Sequence, residues 1–233
     1  MMLAELTELL AAGAADRADD AILRDNLLGK PSVRARQAAL YRLRQLYGVG
    51  EAWPICAVLY RLWERDRDGR PLLALLCALA RDPPQRDGAG AVLDAALGER
   101  VRWPAIGAAF ETRNPGRLGE ETAKSLAQRA ASTWTQAGFL KGAFRKERVR
   151  AKPTPTVATY AAVLASLCGF GGMRLIESRW LDVLDRPIAD RLALLRQAEG
   201  LGLARVRSVG DVMEIDIRGP LGRTLGVPEL VER

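Results

Sequence analysis

Amphipathic segments with a period near 3.6 residues, each bounded by serine, glycine or proline, constrain this chain to a mainly helical fold. In residues 33–47 the apolar side chains share one face, Ser32 is a good N-cap and Gly48 ends the helix. Residues 120–137 form a second clear amphipathic helix. Aromatic residues are only 6% of the chain, and its Ala and Leu residues favour helices over sheets.

The other segments predict shorter helices and loops. Residues 81–90 are predicted as a loop because Pro83 and Pro84 lie there. Pro153 and Pro155 are predicted to exclude a helix from the segment around them. The remaining predicted helices are at residues 3–12, 20–28, 54–65, 71–81, 91–97, 157–167, 173–184 and 187–199.

The chain is predicted to contain two domains. A break at residues 112–119 (TRNPGRLG) separates an N-terminal domain, residues 1–112, from a C-terminal domain, residues 113–233. Alternating residues at 203–207 and 212–218 predict a terminal β-hairpin. The predicted fold class is mainly α, with a helical bundle followed by a winged helix-turn-helix-like domain that ends in this hairpin.

The residue types present exclude several classes of enzyme. The chain has no histidine, which removes Ser-His-Asp and Cys-His nucleophilic sites and most zinc sites. Cys56, Cys77 and Cys168 lie far apart in apolar helical surroundings, which is typical of buried thiols in a reducing compartment. We therefore expect no catalytic residue, no metal and no cofactor.

The hydropathy pattern and the N-terminal charges also indicate where in the cell the protein is located. The longest apolar run covers residues 71–80, about half of the ~20 residues that a membrane span needs. Glu5 and Glu8 stand where a secretory signal would carry Lys or Arg. We expect a cytoplasmic protein that does not contact a membrane.

Positive charge is segregated along the chain, whose formal net charge is +7. Residues 30–50 contain basic but no acidic side chains, and such a surface attracts polyanions because phosphate contacts release counterions. The alternative is that these cations pair with the acids of residues 16–25. The predicted contact residues are Lys30, Ser32, Arg34, Gln37, Tyr41, Arg42 and Arg44.

A second candidate surface combines the helix at residues 120–137 with the basic tract at residues 141–152. The helix is long enough to lie in a major groove, and its polar side chains are types that bind base edges and phosphates. The tract is predicted to be an extended wing or a mobile loop, and the alternative is a plain solvated surface. The predicted contact residues are Lys124, Ser125, Gln128, Arg129, Ser132, Lys141, Arg145, Lys146, Arg148, Arg150 and Lys152.

Two short motifs resemble a known family. Residues 26–32 (NLLGKPS) resemble the N-terminal signature of BrxA-type proteins, small components of BREX phage-defence systems. Residues 136–140 (QAGFL) are similar to the second half of these proteins, so the resemblance covers roughly residues 20–145. It implies a mainly helical protein with helix-turn-helix-like parts that binds double-stranded DNA in anti-phage defence, and it supplies no catalytic residue.

The leading hypothesis is a non-enzymatic, DNA-binding accessory protein of a bacterial defence system, with duplex DNA and other defence proteins as partners. A helical adaptor that binds a protein partner in a defence complex is one alternative, and an RNA-binding protein is another. The DNA hypothesis depends on the basic faces being free in the folded chain to meet a polyanion.

Overall fold

A computed structural model of the chain describes residues 1–113, 115–116, 119–209 and 212–230. These residues are mainly helical, which confirms the mainly α part of the predicted fold class. A π-helical turn lies at Asp20–Arg24 and a 3₁₀ turn at Pro228–Leu230. Two antiparallel hairpins join β1 (Leu140–Lys141) to β2 (Glu147–Arg148), and β3 (Arg205–Val209) to β4 (Val212–Asp216). The helices are α1 (Leu3–Ala11), α2 (Val33–Tyr47), α3 (Pro54–Arg65), α4 (Arg70–Arg81), α5 (Pro83–Asp87), α6 (Gly90–Leu93), α7 (Trp103–Arg113), α8 (Glu120–Gln136), α9 (Pro155–Leu167), α10 (Gly172–Ile176), α11 (Arg179–Asp182), α12 (Ile188–Gly200) and α13 (Arg218–Leu225).

The core is organised around α4 and α9, which pack against each other. Residues 72–79 of α4 and residues 156–165 of α9 are all buried. Helices α2, α3 and α5 surround α4, while α11 and α12 surround α9. The two predicted halves therefore share one hydrophobic core, and the boundary between residues 112 and 113 stays a prediction.

Helix α2 has its predicted bounds because both of its ends carry capping residues. The Ser32 hydroxyl accepts a hydrogen bond from the Ala35 N–H at 3.2 Å, which satisfies one of the free donors of the first turn. Gly48 ends the helix with a φ of 61°, a left-handed conformation that suits glycine. The apolar face, which includes Leu43 and Leu46, is buried as predicted.

Three prolines lie in the first turns of helices where the sequence predicted none. Pro83 and Pro84 begin α5, and Pro155 begins α9. Proline is tolerated at these positions because the N–H groups of the first turn have no helical partner. The loop predicted for residues 81–90 and the exclusion of a helix around Pro155 were therefore wrong.

Other segments also differ from their predicted structure. The helix predicted at residues 173–184 is divided into α10 and α11, and residues 20–28 hold only the π-helical turn. Helices α7 and α13 were not predicted. The terminal hairpin is present as β3 and β4, and residues 210–211 at its turn lie outside the described residues.

The β1–β2 hairpin follows α8 directly and is fixed to the segment before α7. In the hairpin Leu140 pairs with Arg148 and Lys141 pairs with Glu147. A further antiparallel bridge links Arg100 to Glu147, and α7 packs against α8. This arrangement places the start of α7, the length of α8 and the hairpin next to one another.

Candidate nucleic-acid interface

The first predicted contact surface, the polar face of α2 with Lys30, is largely neutralised from within. Lys30 Nζ lies 2.9 Å from Glu5 Oε1, and an Arg44 nitrogen lies 2.5 Å from Asp19 Oδ2. Burial alone would raise the pKa of Glu5, but the hydrogen bond and charge of Lys30 outweigh it and the pKa is lowered. Asp19 belongs to the acidic segment named as the alternative partner. We therefore remove Lys30 and Arg44 from the predicted contact surface.

Arg42 is held on the same helix by side chains of the protein itself. Its guanidinium donates to Asp82 Oδ2 at 2.9 Å and to Gln45 Oε1 at 2.5 Å. Asp82 is only 3% exposed, so without Arg42 it would be a buried carboxylate lacking a counter-charge. Arg42 therefore has a structural role within the fold, which does not favour its predicted contact with DNA.

Four predicted residues remain exposed at the start and along the outer face of α2. Ser32 is used as the N-cap. Arg34 and Gln37 have no side-chain partner among the described residues, and Tyr41 is 69% exposed. This face presents one free guanidinium, which is too little positive charge to hold a polyanion by itself.

The predicted basic tract folds into the β1–β2 hairpin, and one of its arginines turns inward. Arg148 is 3% exposed and donates to the Val92 carbonyl at 2.9 Å. It also donates to both oxygens of the Asp185 carboxylate, at 2.8 and 3.2 Å. Its guanidinium lies over the Phe139 ring at 4.8 Å. Arg148 therefore fastens the hairpin to α6 and to the segment before α12, and its burial does not favour the predicted contact with DNA.

A groove of about 540 Å³ between α8 and the hairpin brings the two parts of the second predicted surface together. Gln128 of α8 and Lys146 of the hairpin, both predicted contact residues, lie on it. Three cations and two aromatic rings line the groove, and no carboxylate is among its lining residues. These charged and aromatic residues are Arg100, Arg102, Trp103, Phe144 and Lys146.

The other predicted residues of α8 differ in their exposure and in whether their side chains have partners. Ser125 is half-buried, and Lys124 Nζ lies 3.6 Å from Glu121 Oε1 on the same helix. Ser132 accepts a hydrogen bond from Gln136 at 3.2 Å. Arg129 is exposed and its guanidinium has no partner among the described residues, so it is free to meet a ligand.

The remaining cations of the tract lie at different places on the hairpin and beyond it. Lys141 Nζ is 3.6 Å from Glu147 Oε2, while Arg145 is exposed at the hairpin tip without a described partner. Arg150 lies instead in a separate cleft of about 350 Å³ that Asp185 also lines. Lys152 is exposed and is not among the residues that line the groove.

Four charged or aromatic residues of the groove were missed by the sequence analysis. Arg100, Arg102 and Trp103 precede and begin α7, and Phe144 lies at the hairpin tip. The available signal was the run at residues 100–104 (RVRWP), which alternates cations with apolar residues and ends in a tryptophan–proline pair. Cations interleaved with aromatic residues are typical of nucleic-acid-binding surfaces.

No protein family, curated protein or solved structure that we compared with the chain matches it. The resemblance to BrxA-type proteins therefore stays a prediction. Within the described ranges, no helix is both long enough and apolar enough to cross a membrane. The same residues contain no cluster of three or more His, Cys, Asp or Glu side chains suited to a metal ion. Cys56 and Cys77 are buried as expected, whereas Cys168 is exposed.

Proposed function

We propose that this chain binds duplex DNA through the groove between α8 and the β1–β2 hairpin, as a non-enzymatic accessory protein in bacterial phage defence. The observation that carries the proposal is the set of groove cations, Arg100, Arg102 and Lys146, without a carboxylate beside them on the lining. Glu147 is the cross-strand neighbour of Arg100, but none of the three cations has an ion pair among the described residues, and DNA phosphates would supply the counter-charge.

The order of the elements supports this mode of binding. Helices α7 and α8 pack together, the hairpin follows α8, and the bridge from Arg100 to Glu147 adds a third strand position. A helix pair followed by a hairpin has the outline of a winged helix-turn-helix unit, whose second helix enters the major groove. In that mode α8 would present Gln128 and Arg129 to base edges and phosphates.

The terminal hairpin is less suited to the role of a DNA-contacting wing. Arg205 lies opposite Asp216, and Arg207 lies opposite Glu214, so each cation has a carboxylate as its cross-strand neighbour. We therefore assign the wing to the β1–β2 hairpin, which includes part of the tract at residues 141–152 predicted as an extended wing or a mobile loop, and not to the terminal hairpin.

The defence role rests on the resemblance of residues 26–32 and 136–140 to BrxA-type proteins. Genes for a methyltransferase and a large ATPase next to the gene for this chain would support that role. A neighbourhood without them would argue for a different cellular process, while leaving DNA binding unaffected.

Fluorescence anisotropy of a labelled duplex tests DNA binding, with the salt concentration raised from about 50 to 200 mM. Five phosphate contacts, one for each cation of the groove, α8 and the hairpin tip that has no ion pair in the described structure, give a log–log slope of about −4.5. The affinity should then fall roughly 500-fold over this range. The five cations are Arg100, Arg102, Arg129, Arg145 and Lys146.

Two double variants distinguish a contribution of the groove to binding from a general effect of the net charge. Arg100→Gln with Arg102→Gln removes two groove cations without placing a new carboxylate opposite Glu147, and the slope should become about −2.7. Arg61→Gln with Arg67→Gln removes the same charge from exposed positions outside the groove and should leave the slope near −4.5. Equal losses in both variants would refute the groove, and stronger competition by structured RNA would assign RNA as the ligand.

A further inference from the structure

The hairpin tip carries an aromatic ring that the fold leaves almost entirely in water. Phe144 is 99% exposed, the highest value among the large apolar side chains that the structure describes as exposed. The nearby rings Phe139 and Trp134 are fully buried, so the hairpin has apolar packing at its base but none at its tip. Phe144 therefore contributes nothing visible to the core and needs a different explanation.

The tip that presents Phe144 has a defined backbone. Gly142 has a φ of 101°, and a Cβ at this position would lie 2.1 Å from the Arg145 carbonyl oxygen, so only glycine fits the turn. Lys146 Nζ donates to the Gly142 carbonyl at 3.2 Å, and the Lys146 carbonyl accepts from the Val101 N–H at 2.9 Å. Phe144 thus lies in a short turn that is hydrogen-bonded to the segment before α7.

The charges around Phe144 indicate what it meets. Arg145 and Lys146 follow it directly, and neither has a carboxylate partner among the described residues. The carboxylate of the hairpin, Glu147, lies 3.6 Å from Lys141 and is already paired. Two adjacent cations without a carboxylate partner attract a polyanion, so an apolar ring directly before them fits a nucleic-acid partner.

We propose that Phe144 is a wedge that enters the minor groove of duplex DNA and inserts between two stacked base pairs. The inference rests on the proposed function and adds the step by which the hairpin would engage DNA. Arg145 and Lys146 contact the phosphates on either side of the insertion, which offsets the loss of base stacking. Apolar wedges of this kind kink the duplex by about 20–90° toward the major groove.

The wedge also defines the kind of DNA that this chain prefers. Pyrimidine–purine steps such as TA and CA/TG unstack and kink most easily, whereas A-tracts are stiff. Insertion of Phe144 therefore favours duplexes that contain a flexible step at the hairpin position, without a hydrogen bond to any base. Such a preference arises from the sequence-dependent deformability of the DNA and not from contacts to base edges.

The test uses a duplex of about 20 to 30 base pairs with one central TA step, a dye at each end and 2-aminopurine beside the step. Binding of the wild-type chain should bring the dyes closer and raise the 2-aminopurine fluorescence as the base unstacks. Phe144→Ala should lose both signals and bind about 5- to 100-fold more weakly. Its salt slope should stay near that of the wild type because no cation is removed.

Phe144→Leu is the matched control, since leucine also serves as an apolar wedge and should retain the bend and most of the affinity. Both substitutions leave the fold intact because the side chain is exposed, and an unchanged melting temperature verifies this. If Phe144→Ala bends and binds the duplex as the wild type does, while the Arg100 and Arg102 substitutions still weaken binding, the wedge is refuted and the proposed DNA-binding groove is not. A wild-type chain that does not bind the duplex at low salt would overturn both proposals.

Discussion

The contact between Arg148 and Asp185 allows a stability prediction whose size follows from the structure. The two side chains are 2% and 16% exposed, and Asp185 also accepts a hydrogen bond from the Ala151 N–H at 2.9 Å. Asp185→Asn removes the negative charge while keeping the shape of the side chain. Asparagine also tolerates the left-handed backbone of residue 185, where φ is 53°.

The expected loss of stability comes from the buried guanidinium of Arg148, which is left without its counter-charge. Removing one partner of a buried ion pair destabilises a protein by about 3–5 kcal/mol, because the other charge stays buried and uncompensated. Arg148 keeps its hydrogen bond to the Val92 carbonyl, so we expect the lower end, about 3 kcal/mol. For a chain of this length the melting temperature should fall by roughly 6–12 °C.

Urea unfolding followed by circular dichroism measures this loss. Asp190→Asn is the matched control, since Asp190 is exposed on α12 without an ion pair in the described structure, and its effect should stay within about 0.5 kcal/mol. Combining Asp185→Asn with Arg148→Met should recover part of the stability, because no charge is then left buried. A loss below about 1 kcal/mol for Asp185→Asn would show that Arg148 does not depend on this carboxylate.

Two further substitutions test the packing and the charges of the N-terminal half. A Cβ at Gly88 would lie 2.5 Å from Phe110 Cε1 and 2.8 Å from Ile106 Cγ2, so Gly88→Ala should destabilise the fold by about 1–3 kcal/mol in urea unfolding. Because the pKa of Glu5 is lowered by Lys30, the pair stabilises the fold above the unfolded pKa and is lost as pH falls through the folded pKa. Glu5→Gln should therefore cost up to about 1 kcal/mol of stability at about pH 7, seen as a lower melting temperature, and should have a smaller effect at about pH 2. An equal effect at both pH values would contradict the ion pair as its source.

Local signals made part of the fold predictable from the sequence. Ser32 and Gly48 define α2 because capping depends on the residues at the helix ends and on nothing distant. Pro83 and Pro155 misled the prediction because a proline ends a helix or begins one according to its position, and the local sequence does not decide between them.

The candidate site depends on contacts between residues that are distant in sequence. Arg42 and Asp82 are separated by 40 positions, and Arg148 and Asp185 by 37. Helical periodicity relates only residues within a few turns, so it could not predict either pair. Both arginines were predicted to face DNA because their own segments contain few acids. The groove itself was missed for the same reason, since the bridge that brings Arg100 to the hairpin joins it to Glu147, which is distant in sequence.

The internal ion pairs also shape the electric field that a distant ligand meets. A paired cation and anion form a dipole, whose potential decays faster with distance than that of an isolated charge. At a range of several ångströms beyond the surface, the pairs of Lys30, Arg42 and Arg44 therefore contribute little, and unpaired cations such as Arg145 and Lys146 dominate. The cations of the groove and the hairpin tip would thus add to the long-range attraction of a rod-like polyanion, whereas the paired cations on and near α2 would add little.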